Sequence, residues 1–289
     1  MSRFGFVLGG TMVLALASGA QAQVASNASA GSAAPAAVGA GQASATADAP
    51  GLGELVTDRP DFTESSEVVG QQVAQLETGL AFESDGSGIG RRRSITFPSA
   101  LLRVGLTPKM ELRIGAEGLV SESVFGSARS TGAADMELAM KYKFLEQEKA
   151  GLNMAIILLA SLPTGSAALS SGRPDPGMKL CWARDLPAGF GLSGNFNYAS
   201  LTDEAGRFTQ GSISASLGHD LVAGWGGYWE VFSFSPMERA ATTAWIFDTG
   251  ISHLLGPNQQ VDFTVGRGLT SAAPDWFVSA GFSLRGRMR

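Results

Sequence analysis

Residues 135–144 constrain the fold more than any other stretch, because they alternate strictly between two kinds of side chain. One set of alternate positions carries Asp135, Glu137, Lys141 and Lys143, whereas the other carries only Met, Leu, Tyr and Phe. Successive side chains of a β-strand point to opposite faces, while a helix would spread the same charges around its circumference. The segment is therefore predicted to be a strand with one charged face and one apolar face.

The same alternation recurs along the chain, in segments of about ten residues, which is the length that a tilted strand needs to cross a bilayer. Short connections alternate with longer ones, as in barrels with short periplasmic turns and long outer loops. The sequence predicts an all-β fold, a transmembrane antiparallel up-and-down β-barrel of about 12 strands. A soluble β-sandwich or barrel with the same alternation is the alternative. The predicted strands are 73–83, 96–106, 110–119, 135–144, 151–162, 177–186, 189–200, 207–221, 224–235, 243–255, 259–268 and 275–285.

The N-terminal region carries the features of an exported protein. Arg3 precedes an apolar stretch, and Ala20 and Ala22 form a small-x-small cleavage site, so residues 1–22 are predicted to be a signal peptide. Residues 23–54 consist mainly of Ala, Ser, Gly and Thr, which predicts a disordered leader. The remainder divides into a periplasmic motif segment, 55–72, and an outer-membrane β-barrel, 73–289.

Composition narrows the possible partners. Charged residues make up 16% of the chain and the formal net charge is −5, which gives no reason to expect nucleic acid binding. A single cysteine, Cys181, excludes an internal disulfide, and two histidines exclude a His-rich metal site. We expect no cofactor. The expected partners are outer-membrane lipid and lipopolysaccharide, the outer-membrane assembly machinery and a small-molecule solute.

Residues 57–66, Thr-Asp-Arg-Pro-Asp-Phe-Thr-Glu-Ser-Ser, stand directly before the first predicted strand. Further matching stretches are Gln-Leu-Glu-Thr-Gly at 75–79 and Leu-Pro-Thr-Gly at 162–165. Together with the strand at 135–144, these stretches resemble a family of bacterial outer-membrane transporters of the phenol meta-cleavage degradation pathway. The resemblance extends from about Leu55 to Leu284. It implies a barrel and the uptake of aromatic or other apolar compounds.

The charged residues of the motif suggest two roles. The motif could enter the lumen as a plug or latch, with Arg59 bound to a lumen carboxylate such as Glu77 or Glu117. Alternatively, it could seal the base of the barrel without acting on solutes. The residues concerned are Asp58, Arg59, Pro60, Asp61 and Glu64.

The inward faces of the predicted strands carry charges of both signs. They could form a selectivity patch in a solute path, or a salt-bridged filling that holds a narrow barrel shut. Ile157 and Leu159 would add an apolar lumen patch if their strand is in that register. The predicted lumen-lining residues are Glu77, Arg103, Glu111, Arg113, Glu117, Asp135, Glu137, Lys141, Lys143, Lys179, Asp248, Asp262 and Arg285.

These features predict a channel or transporter for passive uptake of small compounds, aromatic or apolar ones included. A closed structural or surface-interaction barrel without solute flux is the second hypothesis. An outer-membrane hydrolase is the third, since Ser252-His253 and His219-Asp220 supply residue types for nucleophilic catalysis. Both histidines fall next to predicted periplasmic turns, and we therefore expect no enzyme activity.

Overall fold

The computed structural model describes residues 52–88, 90–126, 129–203, 205–236, 239 and 241–288. The predicted signal peptide, 1–22, lies outside the described residues, as does the predicted leader except for residues 52–54. Within the described part of the chain, no helix is long and apolar enough to cross a membrane.

Twelve strands form a closed antiparallel barrel, in which neighbours along the chain pair and β14 returns to pair with β1. The predicted fold class is thereby confirmed. Two additional strands, β4 and β5, form a hairpin against the outer part of β2. The bounds are β1 Val73–Asp85, β2 Arg92–Thr107, β3 Met110–Ala116, β4 Leu119–Val124, β5 Ser130–Ala133, β6 Met136–Leu145, α1 Gln147–Ala150, β7 Asn153–Leu162, β8 Asp175–Leu186, β9 Phe190–Asp203, β10 Gly206–Val222, β11 Trp225–Ser235, β12 Ala244–Gly256, β13 Gln259–Gly268 and β14 Trp276–Arg287.

Apolar side chains cover the outside of the barrel, and polar ones line the inside. On β6, Leu138 and Met140 are exposed, whereas Lys141, on the opposite face, is completely buried. On β13, Phe263 is exposed and Asp262 is buried. A soluble protein would reverse this arrangement, because its charged face would meet water. A closed barrel with an apolar outer surface is the architecture of an outer-membrane protein, so the predicted localisation is also confirmed.

Short connections lie at one end of the barrel, which we assign to the periplasmic side. At this end only the β6–β7 connection, which contains α1, has more than three residues. The connections at the other end have at least six residues, with one exception. A long connection between residues 200 and 207 was expected, but β9 continues to Asp203 and β10 begins at Gly206. The prediction is wrong because the ladder continues beyond the expected strand ends, where Leu201 pairs with Phe208.

The predicted strand over 110–119 is shorter than expected, and the stretch between it and the predicted strand at 135–144 is not a simple loop. β3 ends at Ala116, and residues 119–124 and 130–133 form the β4–β5 hairpin. The reason is that β2 is longer than β3, and its outer residues, Arg92 to Phe97, pair with β4. Gly118 permits the change of direction, because its φ is +62° and a Cβ there would lie 2.0 Å from the Pro98 carbonyl oxygen.

Candidate functional site

Residues 54–69, which we call the inner segment, lie inside the barrel, and most of their side chains are buried. The segment enters at the periplasmic end, where Arg285 Nη1 donates to the Glu54 carbonyl oxygen at 2.6 Å. It leaves at the same end, where the Val69 N–H donates to Glu111 Oε2 at 2.8 Å. The segment is therefore a re-entrant loop that contacts the inward faces of strands around the barrel.

Asp58 lies at the centre of a buried charge cluster. Its carboxylate is 3.3 Å from Arg103 Nη1 and 3.4 Å from Lys141 Nζ, and it also forms a salt bridge with Arg113. Two wall carboxylates complete the cluster, because Arg103 also binds Glu77 at 3.1 Å and Glu111 at 2.9 Å. Asp58 thus pairs with all three of these cations, and Arg113 also pairs with Glu64, a second carboxylate that the segment brings to the cluster.

Arg59 binds the wall at β13, two strands from β1. Its Nη2 is 3.1 Å from Asp262 Oδ1, and its Nε is 3.4 Å from Asp262 Oδ2. Arg59 thus binds a predicted lumen carboxylate, but not either of the two given as examples, Glu77 and Glu117. Glu77 instead accepts hydrogen bonds from the Asp58 N–H and from Arg103.

Glu230 on β11 holds the innermost turn of the segment through its main chain. Its carboxylate accepts hydrogen bonds from the N–H groups of Phe62, at 2.6 Å, and Thr63, at 2.8 Å, and from the Thr63 hydroxyl. The hydroxyls of Thr63 and Ser214 lie 2.6 Å apart, so this turn is also attached to β10.

Glu64 and Glu67 fix the returning half of the segment. Glu64 forms salt bridges with Arg113 and Lys179, and Glu67 is 2.7 Å from Lys143 Nζ. Asn195 Nδ2 donates to the Glu64 carbonyl oxygen at 3.4 Å and contacts Cys181 Sγ at 2.9 Å. The buried thiol therefore lies next to a side chain that the segment holds in place.

The structure brings most of the predicted lumen residues into contact with the inner segment. Asp248 is buried on the inward face of β12, although no hydrogen bond joins it to the segment. Pro60 and Asp61 bind the wall too, through the Thr264 hydroxyl at 3.2 Å and the Ser216 hydroxyl at 2.9 Å. The residues of the predicted set that contact the segment are Glu77, Arg103, Glu111, Arg113, Lys141, Lys143, Lys179, Asp262 and Arg285.

Three predicted lumen residues have other surroundings. The Asp135 carboxylate accepts hydrogen bonds from the N–H groups of Gly165, at 2.8 Å, and Ser171, at 3.0 Å, so it binds an outer loop instead of facing the lumen charges. Its position at the outer end of β6 explains the error, because the loop folds back over that end. Glu117 and Glu137 are half-buried, and their carboxylates make no hydrogen bond or ion pair with any other described residue.

Sequence reasoning missed an apolar region of the lumen around Phe62. Its ring stacks on Phe232, with centroids 4.4 Å apart and planes 13° apart, and meets Phe234 edge-on at 5.2 Å. Ile246 and Phe277 complete the cluster. The available signal was the loss of alternation in β11 and β12, where both registers carry apolar side chains. A second inward patch contains Ile157 and Cys181, with Leu159 packed against it.

The space beneath the inner segment remains open. A cavity of about 260 Å³ lies between the segment and β7–β9 at the periplasmic end, and its lining includes Ser65, Glu67, Asn153 and Ser193. The lumen is thus partly accessible from the periplasmic side, up to the level at which the segment fills it.

Both histidines support periplasmic turns. His219 Nδ1 lies 3.1 Å from the Gly189 carbonyl oxygen, and its ring stacks on Phe190. His253 makes the equivalent contact with Gly224 at 3.1 Å, and its ring stacks on Trp225. Among the residues that the structure describes, no group of three or more His, Cys, Asp or Glu side chains could hold a metal ion.

The profile of the family described as "Putative MetA-pathway of phenol degradation" matches residues 57–286. No curated protein matches the chain. Among solved structures, the "KdgM porin" is similar with a TM-score of 0.45 and 12% identity, over 73% of this chain and 98% of that chain. The "CymD monoaromatic hydrocarbon channel" gives 0.44 and 11%, over 76% and 89%. The translocator domain of the autotransporter NalP from Neisseria meningitidis gives 0.45 and 14%, over 75% and 89%.

Proposed function

The chain belongs to the family described as "Putative MetA-pathway of phenol degradation", and on that premise we propose that it is an outer-membrane channel for passive uptake of small aromatic or apolar compounds. One observation carries the proposal. A closed barrel has a polar lumen, and what fills that lumen is a separate chain segment, not the side chains of the wall alone. This arrangement is a closed state of a channel, with residues 54–69 as the plug.

The way in which the inner segment is held supports a removable plug. It enters and leaves at the periplasmic end, so withdrawal requires no threading through the barrel. The polar contacts that attach it are ion pairs and hydrogen bonds of side chains, such as Asp58–Arg103 and Glu230 with the Phe62 N–H. In a water-filled lumen these groups would exchange their partners for water, at a small net free energy for each hydrogen bond.

We also propose that the chain has no catalytic role. His219 and His253 each have one ring nitrogen next to the carbonyl oxygen of a turn glycine, and each ring is stacked on an aromatic side chain. This arrangement supports a role in holding the turns. A catalytic base would need a ring nitrogen directed at a nucleophile next to a bound substrate.

Single-channel conductance in planar bilayers and swelling of solute-loaded liposomes test the proposal with the full-length protein. The Asp58→Asn variant removes the carboxylate that pairs with Arg103, Arg113 and Lys141, and loss of one partner from a buried charge cluster costs about 3–5 kcal/mol. We expect the open probability to rise by at least about tenfold over wild type.

Glu146→Gln is the matched control, because this partly exposed acid binds Lys109 and Lys149 at a periplasmic turn and does not contact the inner segment. It should behave like wild type. If correctly folded Asp58→Asn gives neither conductance nor swelling, the channel proposal is wrong and a closed structural barrel takes its place.

A further inference from the structure

The apolar cluster around Phe62 has the form of a ring-binding cage. Phe232, Ile246 and Ala244 are completely buried, and Phe277 is 1% exposed. All four belong to the wall of the barrel, as does Phe234. The aromatic and branched side chains around the central ring come from wall strands, and Ala273 of an outer connection also joins them. The benzyl side chain of Phe62 occupies the central position, between one ring stacked on it and another that meets it edge-on.

This cage is unusual within its surroundings. Along β11 and β12 the inward positions nearer the periplasm carry Glu230 and Asp248, and the polar lumen wall continues on β13 with Asp262. Apolar side chains facing a wet lumen would be unfavourably exposed whenever the inner segment is absent. The wall therefore keeps an aromatic-lined surface at a level where the rest of the lumen is polar.

The cage also lies on the side from which a solute arrives. β11 starts at the short periplasmic turn after Val222 and runs outward, so Phe232 and Phe234 are in its outer half. Ala273, which joins the cluster, belongs to the outer connection between β13 and β14. A molecule that enters through the outer mouth would meet this cage before it reaches the charged cluster around Asp58.

We propose that the cage is the binding site for a neutral monocyclic aromatic solute, and that the Phe62 side chain occupies this site and competes with the solute for it. The Phe62 side chain has the same seven-carbon skeleton as toluene, and the cage already holds that shape in stacked and edge-on contacts. This inference rests on the proposed channel function, which it refines by naming the site and the class of solute.

Competition with Phe62 would couple solute binding to opening. The N–H of Phe62 is bound to Glu230, and its neighbour Thr63 is bound to Glu230 and Ser214. A solute ring in the cage excludes the Phe62 ring and so disfavours the conformation in which this turn is bound to Glu230. A ligand that binds only the state without Phe62 shifts the equilibrium toward that state, in proportion to its affinity. Aromatic solutes would thus promote release of the segment that blocks them.

Methyl NMR of the full-length protein in deuterated detergent tests the cage with toluene as the probe. The δ1 methyl of Ile246 reports on the cage, and that of Ile213, which is exposed on the outer face, reports on toluene in the micelle. In Phe62→Ala the vacated apolar space should take up toluene, as dry engineered cavities do. We expect the Ile246 shift to saturate at a toluene concentration at least about tenfold lower than in wild type, while Ile213 shows only a linear drift.

Phe62→Leu serves as a second variant that retains an apolar side chain, in case Phe62→Ala does not fold. If the Ile246 shift in the folded variants follows that of Ile213, the cage does not bind aromatic rings.

Reaction of Cys181 with a small thiol reagent tests the competition. Toluene should accelerate the reaction in wild type by about tenfold and have no effect in Phe62→Ala. An unchanged wild-type rate would contradict the competition.

The two proposals fail separately. If Asp58→Asn conducts but Ile246 does not respond to toluene, the cage is wrong and the channel remains. If Ile246 responds and no variant conducts, the channel is wrong and the chain is a barrel with a closed aromatic site.

Discussion

The guanidinium of Arg59 lies over Gly79, so close that a Cβ on Gly79 would be 2.6 Å from Arg59 Cζ. Gly281, the partner of Gly79 on the neighbouring β14, lies beneath the same side chain, where a Cβ would be 2.1 Å from Arg59 Nε. Only a pair of glycines leaves room for the side chain that binds Asp262. Two of the stretches that carry the family resemblance, 57–66 and 75–79, are therefore parts of one contact.

Gly79→Ala should weaken the binding of the inner segment to the barrel wall, because the added methyl group occupies the space of the Arg59 guanidinium. Overpacking of this kind costs about 1–3 kcal/mol, which corresponds to a rise of about tenfold in the reaction rate of the buried Cys181 thiol. Gly286→Ala on β14 is the control, because a Cβ there meets no atom within 4 Å. Equal Cys181 rates in the two variants would show that Arg59 does not depend on the glycine pair.

Asp135→Ala should release the outer loop that follows β7 without affecting conductance. Its carboxylate binds the N–H groups of Gly165 and Ser171, and loss of such an acceptor costs about 1–3 kcal/mol. We expect faster hydrogen exchange at the N–H groups of Gly165 and Ser171. Asp220→Ala, at the periplasmic end of β10, should leave these exchange rates unchanged. A change in conductance in Asp135→Ala would show that this carboxylate does act in the lumen.

Leu158→Arg should destabilise the barrel in lipid, since this outward side chain is 58% exposed near the middle of β7. A charge at the midplane costs about 2–4 kcal/mol, whereas near the interface the cost is about 0–1 kcal/mol. Leu255→Arg is the control, because Leu255 is 56% exposed but adjoins a periplasmic turn. Unfolding by denaturant in lipid vesicles measures both free energies. Equal losses would contradict the assignment of the outer surface to lipid.

The barrel could be predicted from the sequence because a two-residue alternation is a local property, which β6 and β13 show in full. The β4–β5 hairpin could not, since it depends on how far β2 extends beyond β3. The partner of Arg59 could not be predicted from the sequence either, because Asp262 lies 203 residues away and its approach depends on the Gly79–Gly281 pair. Charge alone could not distinguish Asp262 from Glu77 or Glu117.

The aromatic cage was missed for a related reason. Phe232 and Ile246 lie in strands where both registers are apolar, and alternation does not then indicate which face is inward. The cage can be recognised only when Phe62 is placed against these residues. Phe62 is distant from them in sequence, and the path of the inner segment brings it into contact with them. A strand that breaks the alternation of its neighbours is the signal to seek in related sequences.

A reversible covalent lock tests the central claim, that residues 54–69 block the lumen, most directly. The hydroxyls of Thr63 and Ser214 lie 2.6 Å apart, so a Thr63→Cys/Ser214→Cys pair in a Cys181→Ser, Asp58→Asn background places two thiols in contact. The account predicts that oxidation joins them, with conductance low while the disulfide is present and high after reduction. Conductance that is unaffected by a disulfide confirmed by mass spectrometry would contradict the claim that the segment closes the channel.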